Sequence, residues 1–265
     1  MRITRNDNYS ARQIQGIIEK DPPLAMKILK VANSAHYGVK KPVKSLRHAV
    51  VIIGMKQLSN IAISFSVLKR FENSSSNIDW EKFWVHSIGV GFLTELLTED
   101  YSIATSESPY TMGLLHDVGK LVLNIIDAEK YHSIYQEVQR TKKTFYEVEK
   151  STLGITHSEV GKILAEKWKM SDKLVDVVAH HHEVEDSNPE NIIINAVVEI
   201  ADHLCNITEM SFGTNFDTDN LPEPKSWSIL QENISELKNK KYEEFIDEIG
   251  SQIQSISEMV NLIQL

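Results

Sequence analysis

The chain has 265 residues, of which 42% are hydrophobic and 25% are charged, and its formal net charge is −9. This length is enough for one large or two small hydrophobic cores, and the composition is ordinary for a globular protein. The acidic balance argues against general nucleic-acid binding, because a phosphate backbone requires a surplus of Lys and Arg. The single cysteine, Cys205, excludes an internal disulfide and is typical of a reducing compartment.

Neither a membrane span nor a secretory signal is predicted. The longest apolar run, residues 49–53, is too short to cross a bilayer, and residues 1–10 are polar. We therefore expect a cytoplasmic protein without membrane contact.

Helix signals begin near the N-terminus. Asp21 followed by Pro22 is typical of a helix start, and the apolar spacing after them predicts a short helix. Two further helices are predicted at residues 46–53 and 55–71. The polar, breaker-rich segment 73–77 then predicts a subdomain boundary.

Three titratable side chains stand out in the next two predicted helices. Asp79 begins a helix whose apolar spacing places His86 on the apolar face, and Ser108 caps a short helix that leads to His116 and Asp117. Adjacent side chains on a helix point about 100° apart. His116 and Asp117 can therefore face a common point only at a helix end or by approaching it from two different sides. Burying either group alone would be costly, which favours a metal ion as the shared partner.

Another candidate ligand lies at a predicted helix start. Thr156 opens a capping box, which places His157 in the first turn of its helix. The helix dipole there favours the neutral imidazole, the form that a metal requires.

The last candidates come from two neighbouring helices. One helix ends in three consecutive histidines, and its apolar register predicts that His181 and His182 face inward while His180 faces solvent. The following helix, residues 190–207, is apolar on most of its circumference and carries Asp202, which needs a cation if it is buried.

Taken singly, each of these residues has a structural explanation, such as a buried core histidine, a surface residue or a packing salt bridge. Their joint placement at inward or capping positions predicts a metal-competent pocket. The remaining histidines fit no such pattern, and we interpret them as structural: His36, His48, His132 and His203.

The C-terminal region contains a predicted loop followed by a predicted amphipathic helix. Residues 210–225 are polar and contain two prolines, which predicts a loop. From Lys241 a helix is predicted in which apolar residues between Tyr242 and Ile263 alternate in steps of four and three, as in a coiled-coil seam. This helix either packs on the chain's own core or pairs with a second copy as a homodimer. No strand is predicted, so the expected class is all-α.

Several sequence motifs occur together in a fixed order, from Asp21-Pro22, 29–35, 37–38, 45–46 and 49–54 to 84–87, 113–120, 153–161, 168, 181–182 and 201–202. In this set the sequence resembles the bacterial HDOD proteins, whose name denotes an HD-related output domain. The likeness extends over about residues 12–205 and is specific in both order and spacing.

The resemblance implies an all-α architecture in three parts. Residues 1–76 would form an N-terminal helical subdomain, residues 77–209 an HD-like helical bundle, and residues 210–265 a loop and an amphipathic helix. Members of the family usually open with a further helix that carries a Leu-Pro pair and that would precede Met1. The chain is therefore expected to be either a short version or a fragment.

The resemblance also implies a ligand set. Seven side chains match the HD superfamily, four around one metal and three around a second: His86, His116, Asp117 and Asp202, then His157, His181 and His182. Asp117 would bridge the two metals, and Lys120 would contact a substrate phosphate, which gives both residues catalytic roles. Ligands without thiolate suit iron, manganese, zinc or magnesium, as one or two ions.

Two functions stay open from the sequence. The family resemblance favours a regulatory output module of bacterial signal transduction that binds signalling proteins or a small phosphorylated ligand. The complete ligand set favours a metal-dependent phosphohydrolase. Hydrolysis of cyclic di-GMP is not expected, because residues 184–189 replace the Gly-Tyr-Pro segment of the related HD-GYP enzymes and Lys82 stands where a glutamate would bind a third metal.

Overall fold

The computed structural model describes residues 18, 21–34, 37–71, 78–141, 143–213 and 223–263. The regular structure in these ranges is helical and includes no strand, so the predicted all-α class is confirmed. The predicted boundary at residues 73–77 and the histidine at position 36 lie outside the described residues.

Thirteen α-helices occur within these ranges. In chain order they are α1 (Pro22–Ala32), α2 (Leu46–Ile53), α3 (Met55–Phe71), α4 (Trp80–Asp100), α5 (Pro109–Leu115), α6 (Val118–Ile126), α7 (Ala128–Arg140), α8 (Phe145–Leu153), α9 (His157–Lys167), α10 (Asp172–His180), α11 (Ile192–Asn206), α12 (Ser226–Asn233) and α13 (Tyr242–Ile263).

The chain divides into two compact units. One contains residues 1–72 together with 258–265, and the other contains residues 73–257. The segment 210–265, predicted as a separate third part, is thus shared between the two units.

Local capping explains how the N-terminal unit begins its helices. The Asp21 side chain accepts a hydrogen bond from the backbone N–H of Leu24 at the start of α1, where Pro22 cannot donate. After α1, Asn33 fixes the connecting loop through two bonds with Val43: its Oδ1 accepts from the Val43 N–H at 2.7 Å and its Nδ2 donates to the Val43 carbonyl at 2.9 Å.

Helix α4 is the central element of the larger unit. Fifteen of its 21 residues are buried, so it lacks the polar, solvent-facing side that a surface helix has. Asp79 caps its N-terminus by accepting from the Lys82 N–H. This burial places His86, on the second turn, inside the bundle.

Two glycines allow the close helix contacts that bring the candidate ligands together. A Cβ atom on Gly113 of α5 would lie 2.6 Å from the Val90 carbonyl oxygen on α4. A Cβ atom on Gly119 of α6 would collide with the backbone carbonyl of His157 on α9. Glycine at these positions therefore lets α5 approach α4, and α6 approach α9, at backbone contact distance.

The C-terminal helix α13 buries most of its predicted apolar seam within this chain. Tyr242, Ile249, Ile253, Ile256 and Val260 are all buried. The short helix α12, which precedes it, was not predicted from the sequence.

No single helix within the described ranges is long and apolar enough to span a membrane. The helices Leu46–Ile53 and Met55–Phe65 are together long and apolar enough, but the chain bends by 113° between them.

An aromatic contact tests the packing of α13. The Phe245 side chain is fully buried, and its ring centroid lies 4.8 Å from that of Trp227 and 5.9 Å from that of Tyr242. We predict that Phe245→Ala lowers the free energy of unfolding by about 3–5 kcal/mol, because it removes a large buried side chain and leaves a cavity. Urea denaturation measures the change. Glu244→Ala, at an exposed neighbouring position, is the control, and equal effects of the two substitutions would contradict this packing.

Candidate metal centre

The structure brings the seven predicted ligand side chains together in two groups. The first group is His86 from α4, His116 at the end of α5 and Asp202 from α11. The second group is Asp117, His157, His181 and His182. Within each group the ligand atoms lie within 4.8 Å of one another, a spacing at which one cation can be shared.

Asp117 lies between the two groups and contacts each with a different oxygen. Its Oδ2 is 3.3 Å from Nε2 of His116 and 3.7 Å from Nε2 of His86. Its Oδ1 is 3.1 Å from Nε2 of His157 and 3.6 Å from Nε2 of His181. One carboxylate therefore serves both groups, as a bridging ligand does.

The break between α5 and α6 produces this arrangement. His116 ends α5 in helical geometry, whereas Asp117 precedes α6 with φ −98° and ψ 10° and makes no capping hydrogen bond with its side chain. The Asp117 carboxylate is thereby left for the histidines, although it stands at a position where aspartate commonly caps a helix.

Hydrogen bonds from the Nδ1 atoms to backbone carbonyls orient three of the imidazole rings. The Nδ1 atoms of His116, His181 and His86 lie 2.6, 3.1 and 3.2 Å from the backbone carbonyls of Gly113, Val178 and Met210, respectively. A carbonyl can only accept, so each Nδ1 carries a proton, and Nε2 is the nitrogen that each ring can offer as a lone pair to its group. This is the tautomer that metal-binding histidines adopt when their other nitrogen donates.

Glu149 on α8 is a supporting residue that sequence reasoning missed. Its Oε2 accepts from Nδ1 of His157 at 2.7 Å and from the His157 backbone N–H at 2.6 Å. Its Oε1 accepts from the Tyr131 hydroxyl at 2.9 Å. Both partners, like Glu149 itself, are buried. Nothing in the sequence marks Glu149, because its partners lie on two other helices.

A second buried carboxylate, Asp176, holds the segment that follows the histidine pair. It accepts from Nδ1 of His180 at 2.9 Å, from Nδ2 of Asn191 at 2.8 Å and from the backbone N–H of Asn188. His180 is partly exposed rather than fully solvated, and Asp176, one turn before it on α10, is buried. Asp176 is buried because it bonds to the segment after α10 and to Asn191 at the start of α11.

The donor atoms fit a metal cation. Nε2 of His157 lies 3.3 Å from Nε2 of His181 and 3.0 Å from Nε2 of His182, so three ring nitrogens converge within hydrogen-bond distance. Nε2 of His116 and Oδ1 of Asp117 are buried and have no hydrogen-bond partner among the described residues. Lone pairs at these distances are stabilised by a positive charge among them, either a proton or a metal ion.

Charge in the metal-free centre is unevenly distributed. Burial lowers the pKa of His181 to about 4 and that of His182 well below its usual value, so both rings are neutral. Burial would raise the pKa of Asp117, but His116 and Lys120 beside it hold it well below its usual range. Burial also acts to lower the pKa of His116, yet the Asp117 carboxylate outweighs it and raises the value to about 10.

The Glu149 carboxylate acts against the neutral state that the sequence predicts for His157. Burial lowers the pKa of this imidazole, but the Glu149 carboxylate raises it and the net shift is upward. The contact with Glu149 thus opposes the helix dipole on which the expectation rested.

The other predicted residues lie as follows. Lys120 is buried and its Nζ is 2.5 Å from Oδ2 of Asp117, while its role toward a phosphate stays a prediction. Lys82 is exposed. Among the histidines interpreted as structural, His48 is exposed, and His132 has its Nε2 3.0 Å from Nε2 of Gln136.

A substitution at Glu149 tests how His157 is held. We predict that Glu149→Gln lowers the affinity for Mn²⁺ or Zn²⁺ about 10- to 100-fold, because the charged partner of a ligating histidine is lost. Isothermal titration measures the affinity. Glu147→Gln on the same helix is the control, since Glu147 is exposed and caps α8. An unchanged affinity in Glu149→Gln would show that this contact does not support a metal ligand.

Known proteins resemble this chain in sequence over about two thirds of its length. Residues 1–184 match the family model of the HDOD domain. An uncharacterized protein of Treponema pallidum (strain Nichols) is 24% identical over 186 residues, which is 68% of this chain and 35% of that protein. The chain therefore spans about a third of the length of that relative.

Solved structures share the fold. A crystal structure of an HDOD domain protein from Geobacter sulfurreducens superposes with a TM-score of 0.80 at 24% identity, covering 98% of this chain and 89% of the other. A Shewanella amazonensis protein provisionally named a phosphohydrolase superposes with a TM-score of 0.67 at 21% identity, covering 97% of this chain and 89% of the other. A Marinobacter aquaeolei protein provisionally named a signal transduction protein superposes with a TM-score of 0.72 at 19% identity, covering 97% of this chain and 56% of the other. Because the family model covers well over half of its length, the chain belongs to the HDOD domain family.

Proposed function

We propose that the protein is a regulatory output module of bacterial signal transduction that acts by binding a protein or a small ligand. Its metal-competent centre then serves as a structural or ligand-sensing element, with weak or absent hydrolysis. The observation that carries this proposal is how little of the centre a substrate can reach.

Five of the seven candidate ligands are almost completely enclosed, whereas Asp202 and His182 are partly exposed. His86, His116, Asp117, His157 and His181 each expose 1% or less of their surface. A phosphoester that reacts at a metal pair needs an open position beside the metal and room for the leaving group. Enclosure of this degree suits a structural centre, because closed coordination is typical of structural metal sites.

A small cleft lies next to the second group. It has a volume of about 140 Å³, below the range of about 300–1,000 Å³ that is usual for ligand pockets. Its lining includes His182, Glu183, Glu185, Asp186 and Glu199, with Lys225 as the cation among the lining residues. An acidic lining repels polyanions, so nucleotides and cyclic dinucleotides are poor candidates for binding there.

The N-terminal unit supplies further support. Met26 on α1 and Val51 on α2 expose 72% and 75% of their surface, the two largest exposures among the large apolar side chains described as exposed. Contiguous exposed apolar surface marks protein-binding sites, and these two residues lie on helices that pack against each other. The provisional name of the Marinobacter aquaeolei neighbour, a signal transduction protein, points in the same direction.

A metal-dependent phosphohydrolase is the second candidate. It is favoured by the position of Asp117 between two complete ligand groups and by the provisional name of the Shewanella amazonensis neighbour. A metal pair bound there would polarise a phosphoryl oxygen and lower the pKa of a bound water. The chain itself would supply Asp117 as the shared ligand and Glu149 as the group that orients His157.

The two functions differ in the turnover that they predict. We expect no phosphoester, nucleotide or cyclic dinucleotide to be hydrolysed at a rate near 1 s⁻¹, the low end of ordinary enzyme turnover, with added manganese, iron or magnesium. The expectation follows from the enclosed ligands and the acidic cleft. Phosphate release from a substrate panel measures it.

Variants at two aspartates distinguish turnover by this protein from turnover by a contaminating enzyme. Asp117→Ala removes the shared ligand, whereas Asp172→Ala changes an exposed aspartate at the start of α10. Turnover near 1 s⁻¹ that survives Asp172→Ala and disappears in Asp117→Ala would overturn the regulatory proposal in favour of the phosphohydrolase.

A further inference from the structure

The two metal positions on either side of Asp117 are not equivalent, because a buried lysine stands on one side. Nζ of Lys120 lies 2.5 Å from Oδ2 of Asp117, the same oxygen that faces His86 and His116. The other oxygen, Oδ1, faces His157 and His181.

We infer that Lys120 is an internal counter-ion that occupies the first-group side of Asp117, so that a divalent cation binds the second group before the first. This inference rests on the metal centre proposed above and assigns its order of loading. The lysine takes part of the role that a first-group metal would have, because its ammonium already neutralises the shared carboxylate.

The surroundings of Lys120 hold the ammonium in this place. Its Nζ lies 4.5 Å from the ring centroid of Phe145 and 5.9 Å from that of Phe212. These two rings stack on each other with centroids 5.3 Å apart and an interplanar angle of 4°. A cation over aromatic faces is stabilised by the ring quadrupole, and a buried ammonium that left Asp117 would lose its charged partner.

Charge repulsion then separates the affinities of the two positions. A dication held by His86, His116, Asp202 and Oδ2 of Asp117 would share that oxygen with the ammonium, and like charges at such short range repel strongly where solvent is excluded. A dication in the second group uses Oδ1, to which the ammonium makes no hydrogen bond.

The donor types add to the difference. The second group offers three imidazole nitrogens and one carboxylate oxygen, whereas the first group with Oδ2 offers two of each. Imidazole-rich sites favour zinc, copper, iron and nickel, and carboxylate-rich sites favour manganese and magnesium. We therefore expect the second group to retain Zn²⁺ and the first group to exchange its ion readily.

Equilibrium dialysis with metal analysis, on the full chain, tests the order of loading. With Zn²⁺ or Mn²⁺ the wild-type chain should bind one ion tightly and a second more weakly. Lys120→Met should raise the affinity for the second ion by about tenfold or more, because the repelling charge is gone. Lys120→Arg keeps the charge and should retain the weak second ion. Lys150→Met is the matched control, because Lys150 is exposed and pairs with Glu183 instead.

Two ligand variants assign the ions. Asp202→Asn should remove the weak ion alone, and His182→Ala should weaken the tight one. If Lys120→Met fails to fold without metal, the same inference predicts that Mn²⁺ restores folding with two ions bound, and that Lys120→Met combined with Asp202→Asn is not restored. Failure of metal to restore Lys120→Met would contradict the counter-ion role.

The outcomes distinguish this inference from the centre on which it rests. A wild-type chain that binds two ions equally, with Lys120→Met unchanged, would overturn the inference and leave the metal centre standing. A wild-type chain that binds no divalent cation at saturating concentration would overturn both.

Discussion

The buried carboxylate of Asp117 is the constraint on which the larger helical unit depends. An ionised carboxylate in the interior is costly unless cations and donors surround it, so the chain must bring several such groups to one point. The break between α5 and α6 aims Asp117 away from its own helix. Glycines 113 and 119 then let α4 and α9 approach closely enough for His86 and His157 to reach it.

The same enclosure limits what the centre can do. Side chains that are sealed from water keep their geometry and bind a cation firmly, but they leave little space for a substrate. The adjacent cleft is small and mainly acidic, and Lys120 contacts Asp117 instead of lining that cleft. A centre of this kind is well suited to stabilise or sense, which agrees with the proposed regulatory function.

Local signals allowed much of this fold to be predicted from the sequence. Ser108 and Thr156 cap their helices as predicted, because capping depends on residues three positions apart. Inward-facing histidines could be predicted from helical spacing. Glu149 and the aromatic surroundings of Lys120 could not, since their contacts join distant helices. The upward shift of the His157 pKa could not be predicted for the same reason: its partner Glu149 is visible only in three dimensions.

Anomalous diffraction from crystals of the full chain grown with Zn²⁺ tests the central claim most directly. The account predicts a strong peak between Oδ1 of Asp117 and the Nε2 atoms of His157 and His181, with any second peak weaker and on the Oδ2 side. Density elsewhere, or an empty second group at saturating Zn²⁺, would contradict it.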